Sequence, residues 1–436
     1  MRSYLSALFG GLFVLTLVSQ IRAAEANKPP EGFTALFNGK DLTGWWGAST
    51  EDPRKYLAMS AEEFKKKHDA SLPDIQKHWK VEDGVLINEG QGLYLTTDKN
   101  YRDYELLVDY KTVPLADSGI YLKGCPQVQI WDHTNKNELK NGADKGSGGL
   151  WNNSPGAPGK DPLVLADKPF GEWNHVRVIQ LGSRTTVWLN DKLVVDNAIL
   201  ENYFDRKLPI PPAGPIQLQT HGGNIHWRNL FLREIGAAEA NKLLRGKDPE
   251  GFQSIFNGKD LEGWKGPVDD YQVVDGAITC KPNKGGTIYY GKEEFSNFVA
   301  RMEIKLPPNG NNGLAIRYPG MGDTAYVGMC ELQVLDDNYK GIDPRQAHGS
   351  AYGMVAAARG YQRPIGEWNY EKVTIKGSTI KVELNGNLIL DCDLSKVTEF
   401  MANSKHPGKD RTTGYFGLAG HNDPVMFRNI SIKSLK

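Results

Sequence analysis

The sequence predicts an all-β fold made of two β-sandwich domains of the jelly-roll kind, joined in tandem. Three observations carry that expectation. In 436 residues there are 10 Trp, 18 Tyr and 15 Phe beside 48 Gly and 24 Pro, which suits short aromatic strands and tight turns better than a helical bundle. Short apolar runs alternate with period two between turn residues. A series of motifs also appears twice in the same order, and the length fits two or three domains.

Taken from the N-terminus, Met1-Arg2 is followed by an apolar stretch, Leu5 to Val18, and then by Ala23, Ala24 and Ala26. A basic start, an apolar run short for a membrane span and small residues after it read as a secretory signal peptide over residues 1–26, with an uncleaved anchor as the alternative. The mature chain is therefore expected outside the cytoplasm, periplasmic or extracellular, and off the membrane once cleaved. Its 52 basic and 52 acidic residues cancel, so it carries no electrostatic footprint for nucleic acid or an anionic membrane. The four cysteines, Cys125, Cys280, Cys330 and Cys392, include no close pair of the zinc-knuckle type. Three in one half and one in the other do not make a disulfide framework. Buried thiols are expected, with a Cys280–Cys392 bridge as the minor alternative.

The repeat opens with Gly32-Phe33-Thr34-Ala35-Leu36-Phe37-Asn38-Gly39-Lys40-Asp41-Leu42, which returns as Gly251-Phe252-Gln253-Ser254-Ile255-Phe256-Asn257-Gly258-Lys259-Asp260-Leu261. Gly44-Trp45 matches Gly263-Trp264, Gly171-Glu172-Trp173-Asn174 matches Gly366-Glu367-Trp368-Asn369, and His221 with Arg228-Asn229 matches His421 with Arg428-Asn429. The spacing between copies falls from 219 at the opening to 195 at Gly-Glu-Trp-Asn, so the first copy carries an insertion, placed at residues 48–78. Its Ala61 to Lys67 stretch suits a surface helix. Copies of this length are domains, not solenoid repeats. The first domain is assigned to 30–235, a polar, helix-prone linker to 236–250 and the second domain to 251–436. Tyr104 to Tyr110 and Val373 to Lys376 read as strands, and Val382 to Leu390 as a hairpin turning at Asn385-Gly386, where positive φ costs little.

These motifs, with Glu331-Leu332-Gln333-Val334-Leu335-Asp336 and Phe427-Arg428-Asn429-Ile430, resemble the 3-keto-disaccharide hydrolase family, once per half. The resemblance implies a concanavalin-like jelly roll and action on glycosides oxidised at carbon 3 of the sugar. A ketone there acidifies the proton on carbon 2, because the carbanion delocalises as an enolate. Loss of that proton expels the group on carbon 1, and water then completes a net hydrolysis. The site needs a general base, a donor for the enolate oxygen and an acid for the leaving oxygen.

Glu331, Gln333 and Asp336 form the sharpest constellation. Glu331 and Gln333 share a strand face, and Asp336 rejoins it only through a bulge or strand end. The acid-rich face leaves a divalent metal open as cofactor. With His421 and His348 these residues are the catalytic candidates; a lone His beside a glycine also caps turns, but the His221/His421 recurrence favours chemistry. In the first copy Gln127 stands where Glu331 does, while Gln129 and Asp132 persist, so that domain either uses another residue or binds sugar without turnover. Expected substrate contacts are Arg317, Tyr352, Gln129, Asp132, Trp131, Trp151 and His221, the aromatic ones by stacking on pyranose faces. Lys123 pairs with Arg317 by position. Arg228, Arg428, Trp45, Trp264, Trp173 and Trp368 are assigned to structure, the tryptophans as core anchors. Two rivals remain: a lectin-like pair of sugar-binding modules, and a glycosidase with two carboxylates.

Overall fold

The computed structural model describes residues 27–436; the stretch read as a signal peptide lies outside the described residues. Two tandem concanavalin-like jelly-roll sandwiches account for nearly all of them. In the first, the larger sheet runs Lys192–Ile199, Arg184–Leu189, Asn174–Leu181, Tyr104–Lys111, Ile225–Glu234, Val85–Asn88 and Trp79–Glu82. The smaller sheet runs Trp45–Ala48, Tyr94–Thr97, Gln217–Leu218, Asp117–Leu122 and Cys125–Trp131. The second domain repeats the smaller sheet as Trp264–Lys265, Gly285–Tyr290, Tyr415–His421, Asn311–Tyr318 and Cys330–Leu335. Neighbouring strands pair antiparallel.

Each sandwich buries its own core. From the smaller sheets, Ile120, Val128 and Leu218 enter the core of the first domain, and Leu314, Leu332, Val334 and Leu418 that of the second. Period two then sends the residues between them to the outer face of the five-stranded sheet. Trp45 and Trp264 are core residues whose indole N–H groups donate to the Leu36 and Ile255 carbonyls at 3.0 Å. The Asn385-Gly386 turn has φ of 51° and 80°, the two positive values that a type I′ hairpin requires.

One expectation is corrected. Trp173 and Trp368 are not core anchors: each is half-buried, with the Arg228 or Arg428 guanidinium 4.0 Å above its ring and Lys111 or Lys305 also over it. Stacking of a cation on an indole explains the recurrence without burial. The cysteines are free as expected, and the minor alternative of a Cys280–Cys392 bridge is not formed. The insertion holds two helices, Pro53–Leu57 and Ala61–His78, the second started by a Ser60/Glu63 capping box that satisfies its first free N–H groups. Trp46 packs edge-on against Tyr56 and Phe64 of these helices.

Residues 236–250 contain the helix Ala237–Gly246, whose Ala240 and Leu244 cluster with Leu181, Ile235 and Tyr370 between the domains. Arg184 binds Glu383 at 2.7 Å, Ser183 donates to Asn387 at 2.9 Å, and Arg363 meets Asp103 at 3.4 Å. Among the described residues no helix is long and apolar enough to cross a membrane.

Candidate functional site

In the strand Cys330–Leu335, the inward Cys330, Leu332 and Val334 leave Glu331 and Gln333 on the outer face. The adjacent strand pairs Ala315 with Glu331 and Gly313 with Gln333. A β-carbon at Gly313 would collide with the Glu331 side chain, so the glycine makes room for the carboxylate to lie across the sheet. The next strand sets Gly417 beside Ala315 and ends at His421. Three small residues, Ala315, Gly417 and Ala419, thus keep the floor low.

Above it is a cleft of about 320 Å³ lined by Glu331, Gln333, His421, Asn311, Tyr326 and Tyr352, with Asp323, Tyr339 and Gln346 among the others on its walls. His421 is half-exposed and its Nε2 lies 3.7 Å from Glu331 Oε1, whose carboxyl is buried. That carboxylate raises the His421 pKa above its ordinary 6.5, against the opposing effect of burial. Gln333 Nε2 donates to Asn311 Oδ1 at 2.7 Å and to the Asn312 carbonyl at 3.3 Å. The Tyr352 amide donates to the Glu331 carbonyl at 3.0 Å, and Gln346 Nε2 to the Tyr352 hydroxyl at 3.4 Å. The arrangement pairs an imidazole with a carboxylate and surrounds them with phenols and amides, which is the equipment for moving a proton and holding an oxyanion.

Glu331, Gln333, His421 and Tyr352 therefore come together as expected, and the other second-domain candidates do not. Asp336 is tied into its loop, accepting from the Asn309 and Asn338 amides at 2.9 and 2.8 Å; such local bonding is what Asp does at turns. His348 is buried, its Nε2 2.8 Å from Glu371 Oε2. Arg317 is buried at φ 48° and donates to the Ser296, Gly377 and Arg411 carbonyls. Lys123, its counterpart, is buried with Nζ on the Gly182 carbonyl at 2.8 Å, and burial lowers its pKa to about 8.

In the first domain Asp132 repeats the loop role of Asp336, accepting from Leu115 and Thr134. Trp131 is buried with its indole N–H on the Gly146 carbonyl at 2.8 Å, so no face is free for a sugar. Trp151 is half-buried, edge-on to Trp131 at 6.1 Å with Lys160 over it. Gln129 and His221 do meet, through a residue the sequence reading missed: Gln129 Nε2 donates to Asp117 Oδ1 at 2.8 Å, and His221 Nδ1 lies 2.9 Å from Asp117 Oδ2. Asp117 has Asn311 as its counterpart. Only the pairing register exposes it, because Gly119 opposes Gln129 as Gly313 opposes Gln333.

A family model for the 3-keto-alpha-glucoside-1,2-lyase-like domain matches residues 32–233 and again 251–433. The chain belongs to this family, in two tandem copies. A curated relative from Bacteroides thetaiotaomicron, named 3-keto-disaccharide hydrolase, is 29% identical over 251 residues, which is 47% of this chain and 86% of the relative. A solved structure from Parabacteroides distasonis, provisionally named a glycosyl hydrolase, is 26% identical and covers 43% of this chain and 100% of its own, with a TM-score of 0.38. A carbohydrate binding module from Bacillus subtilis is 15% identical over 39% of this chain and 96% of its own, with a TM-score of 0.27.

For a divalent cation the cleft offers two carboxylates, Glu331 and Asp323, one imidazole, His421, and the amide oxygens of Gln333 and Asn311. Among the described residues no group of three or more His, Cys, Asp or Glu gathers for a metal ion. A catalytic zinc site uses three protein ligands, so this donor set does not fit one.

Proposed function

We propose that the chain is an exported carbohydrate-active enzyme that cleaves 3-keto-glycosides, 3-keto-disaccharides among them, by elimination and rehydration in the second-domain cleft. The observation that carries this reading is the His421–Glu331 pair, 3.7 Å apart at the edge of a low-floored cleft. Membership of the family and the name of the Bacteroides relative support the substrate class. Export rests on the N-terminal apolar stretch alone.

His421 takes the proton from carbon 2, and the Glu331 carboxylate stabilises the imidazolium that forms. The electron pair moves onto the carbon-3 oxygen as an enolate, and the bond from carbon 1 to the leaving oxygen breaks. Phenols of Tyr326, Tyr339 and Tyr352 line the same cleft and supply donors for the enolate and leaving oxygens. Water then adds at carbon 1 while carbon 2 recovers a proton from His421. Unlike an oxocarbenium mechanism, this needs no second carboxylate across the bond.

The test is purified full-length protein on a 3-keto-disaccharide and on its unoxidised parent. Release of free 3-keto sugar from the first alone is expected. Cleavage of the parent contradicts the reading and favours a two-carboxylate glycosidase. Saturable binding without turnover of either contradicts it in favour of a lectin-like pair.

A further inference from the structure

The first domain is not a blank copy of the second. By register, Asp117 stands where Asn311 does and Gln127 where Glu331 does: acid and amide have exchanged strands. The exchange keeps the ion pair, since Asp117 Oδ2 lies 2.9 Å from His221 Nδ1. Coulomb coupling depends on distance to the imidazole and not on which strand carries the charge. Like His421, His221 titrates above its ordinary 6.5, here because Asp117 hydrogen-bonds it.

A second observation points to a ligand. The Gln127 amide donates to Gln129 Oε1, and Gln129 donates in turn to Asp117, which leaves Gln127 Oε1 with no partner although Gln127 is only 4% exposed. Gln219, 6% exposed and two residues before His221, has an unpartnered Oε1 as well. Its backbone N–H donates to the Gly119 carbonyl, and a β-carbon at Gly119 would collide with the Gln127 amide oxygen, so both amides stand around the same glycine. A buried acceptor without a donor costs about 1–3 kcal/mol, and sugar hydroxyls are the donors that remove the cost. Trp151 occupies the position of Tyr352 at the rim.

We propose that the first domain holds a second active site for the same keto-glycoside class, in which His221 moves the carbon-2 proton and Asp117 charges and orients it. The inference rests on the function proposed above, and its steps balance in the same way. The carbon 2–H and carbon 1–O bonds break, the proton goes to His221, the electron pair goes to the carbon-3 oxygen, and water replaces the leaving alcohol. Tyr121, Gln217 and Gln219 fill the floor where the second domain has Ala315, Gly417 and Ala419. This site therefore takes the smaller glycosides, such as a methyl 3-keto-glycoside.

The experiment uses the full chain carrying H421A, which removes the proton-transfer group of the second-domain cleft, assayed on methyl 3-keto-glycoside and on a 3-keto-disaccharide. Residual turnover of the methyl glycoside is expected; D117N added to H421A lowers it at least tenfold, and Q127E added to both restores it. D117N is isosteric and reproduces a side chain that the second domain carries at this position, and thermal unfolding checks that each variant folds. The proposal is overturned if H421A alone abolishes all turnover, if D117N leaves the residual activity unchanged, or if Q127E restores nothing. An inactive unmodified chain instead overturns the proposed function itself.

Discussion

The two outer sheets share strand order and register and differ in what stands on the floor. The second domain sets Ala315, Gly417 and Ala419 beside its acid and imidazole and has a cleft of about 320 Å³ there. At the same positions the first domain carries Tyr121, Gln217 and Gln219, with Tyr121 stacked edge-on against Tyr94 at 5.4 Å and Gln217 donating to Thr96 at 3.2 Å. Its inserted helices also cover Trp46 at the far edge. One backbone thus carries small or large side chains at these three outward positions. The carboxylate–imidazole pair survives in both because either of two neighbouring strands can supply the acid.

The same comparison can be broken by mutation. The largest effect is expected from H421A, which removes the proton-transfer group of the second-domain cleft: kcat on a 3-keto-disaccharide should fall by about 10²–10⁴-fold, read by steady-state kinetics. Next is the support beneath the rim. The second domain buries His348 against Glu371 at 2.8 Å where the first has Ser147 and Val176. Removing one partner of a buried pair leaves an uncompensated charge, so E371A should destabilise the protein by about 3–5 kcal/mol, read by denaturant titration. Burial disfavours charged His348, but the Glu371 carboxylate outweighs it and raises the pKa above 6.5. The histidine's contribution is therefore complete below about pH 6.5 and declines as pH rises through the raised value.

Smaller effects sharpen the contrast in floors. A419Q places the first domain's amide in the second domain's groove and should lower kcat/KM for the disaccharide about tenfold, while a methyl glycoside is affected less. The smallest expected change is in pH dependence. Proton abstraction needs neutral His421, and Glu331 raises its pKa; E331Q should move the acidic limb of kcat/KM to lower pH. A limb that stays in place would show that Glu331 does not act on His421.

Much of this was legible in the sequence, and the failures have physical causes. Period two in Cys330 to Leu335 was enough to put Glu331 and Gln333 on one face, and the Asn-Gly turn and the tandem opening motif marked the hairpin and the domain division. Asp336 and Asp132 misled because an acid that closes a loop through backbone N–H groups has the same spelling as one that serves a cleft. Arg317 and His348 misled because their partners, three carbonyls and Glu371, come from distant parts of the chain. Asp117 was invisible for the complementary reason: its relation to Glu331 exists across a strand pair and not along a motif. Trp173 and Trp368 recur as stacking partners for Arg228 and Arg428, a role that composition cannot separate from a core anchor.

The central claim is that the carbon-2 proton leaves the sugar during cleavage. A 3-keto-disaccharide carrying deuterium at carbon 2, turned over once in ordinary water and quenched at once, tests it through the mass of the released keto sugar. The account predicts loss of the deuterium in step with bond cleavage, faster than in free product incubated with the same enzyme. Cleavage with the deuterium retained and with no primary isotope effect on the single-turnover rate would contradict it.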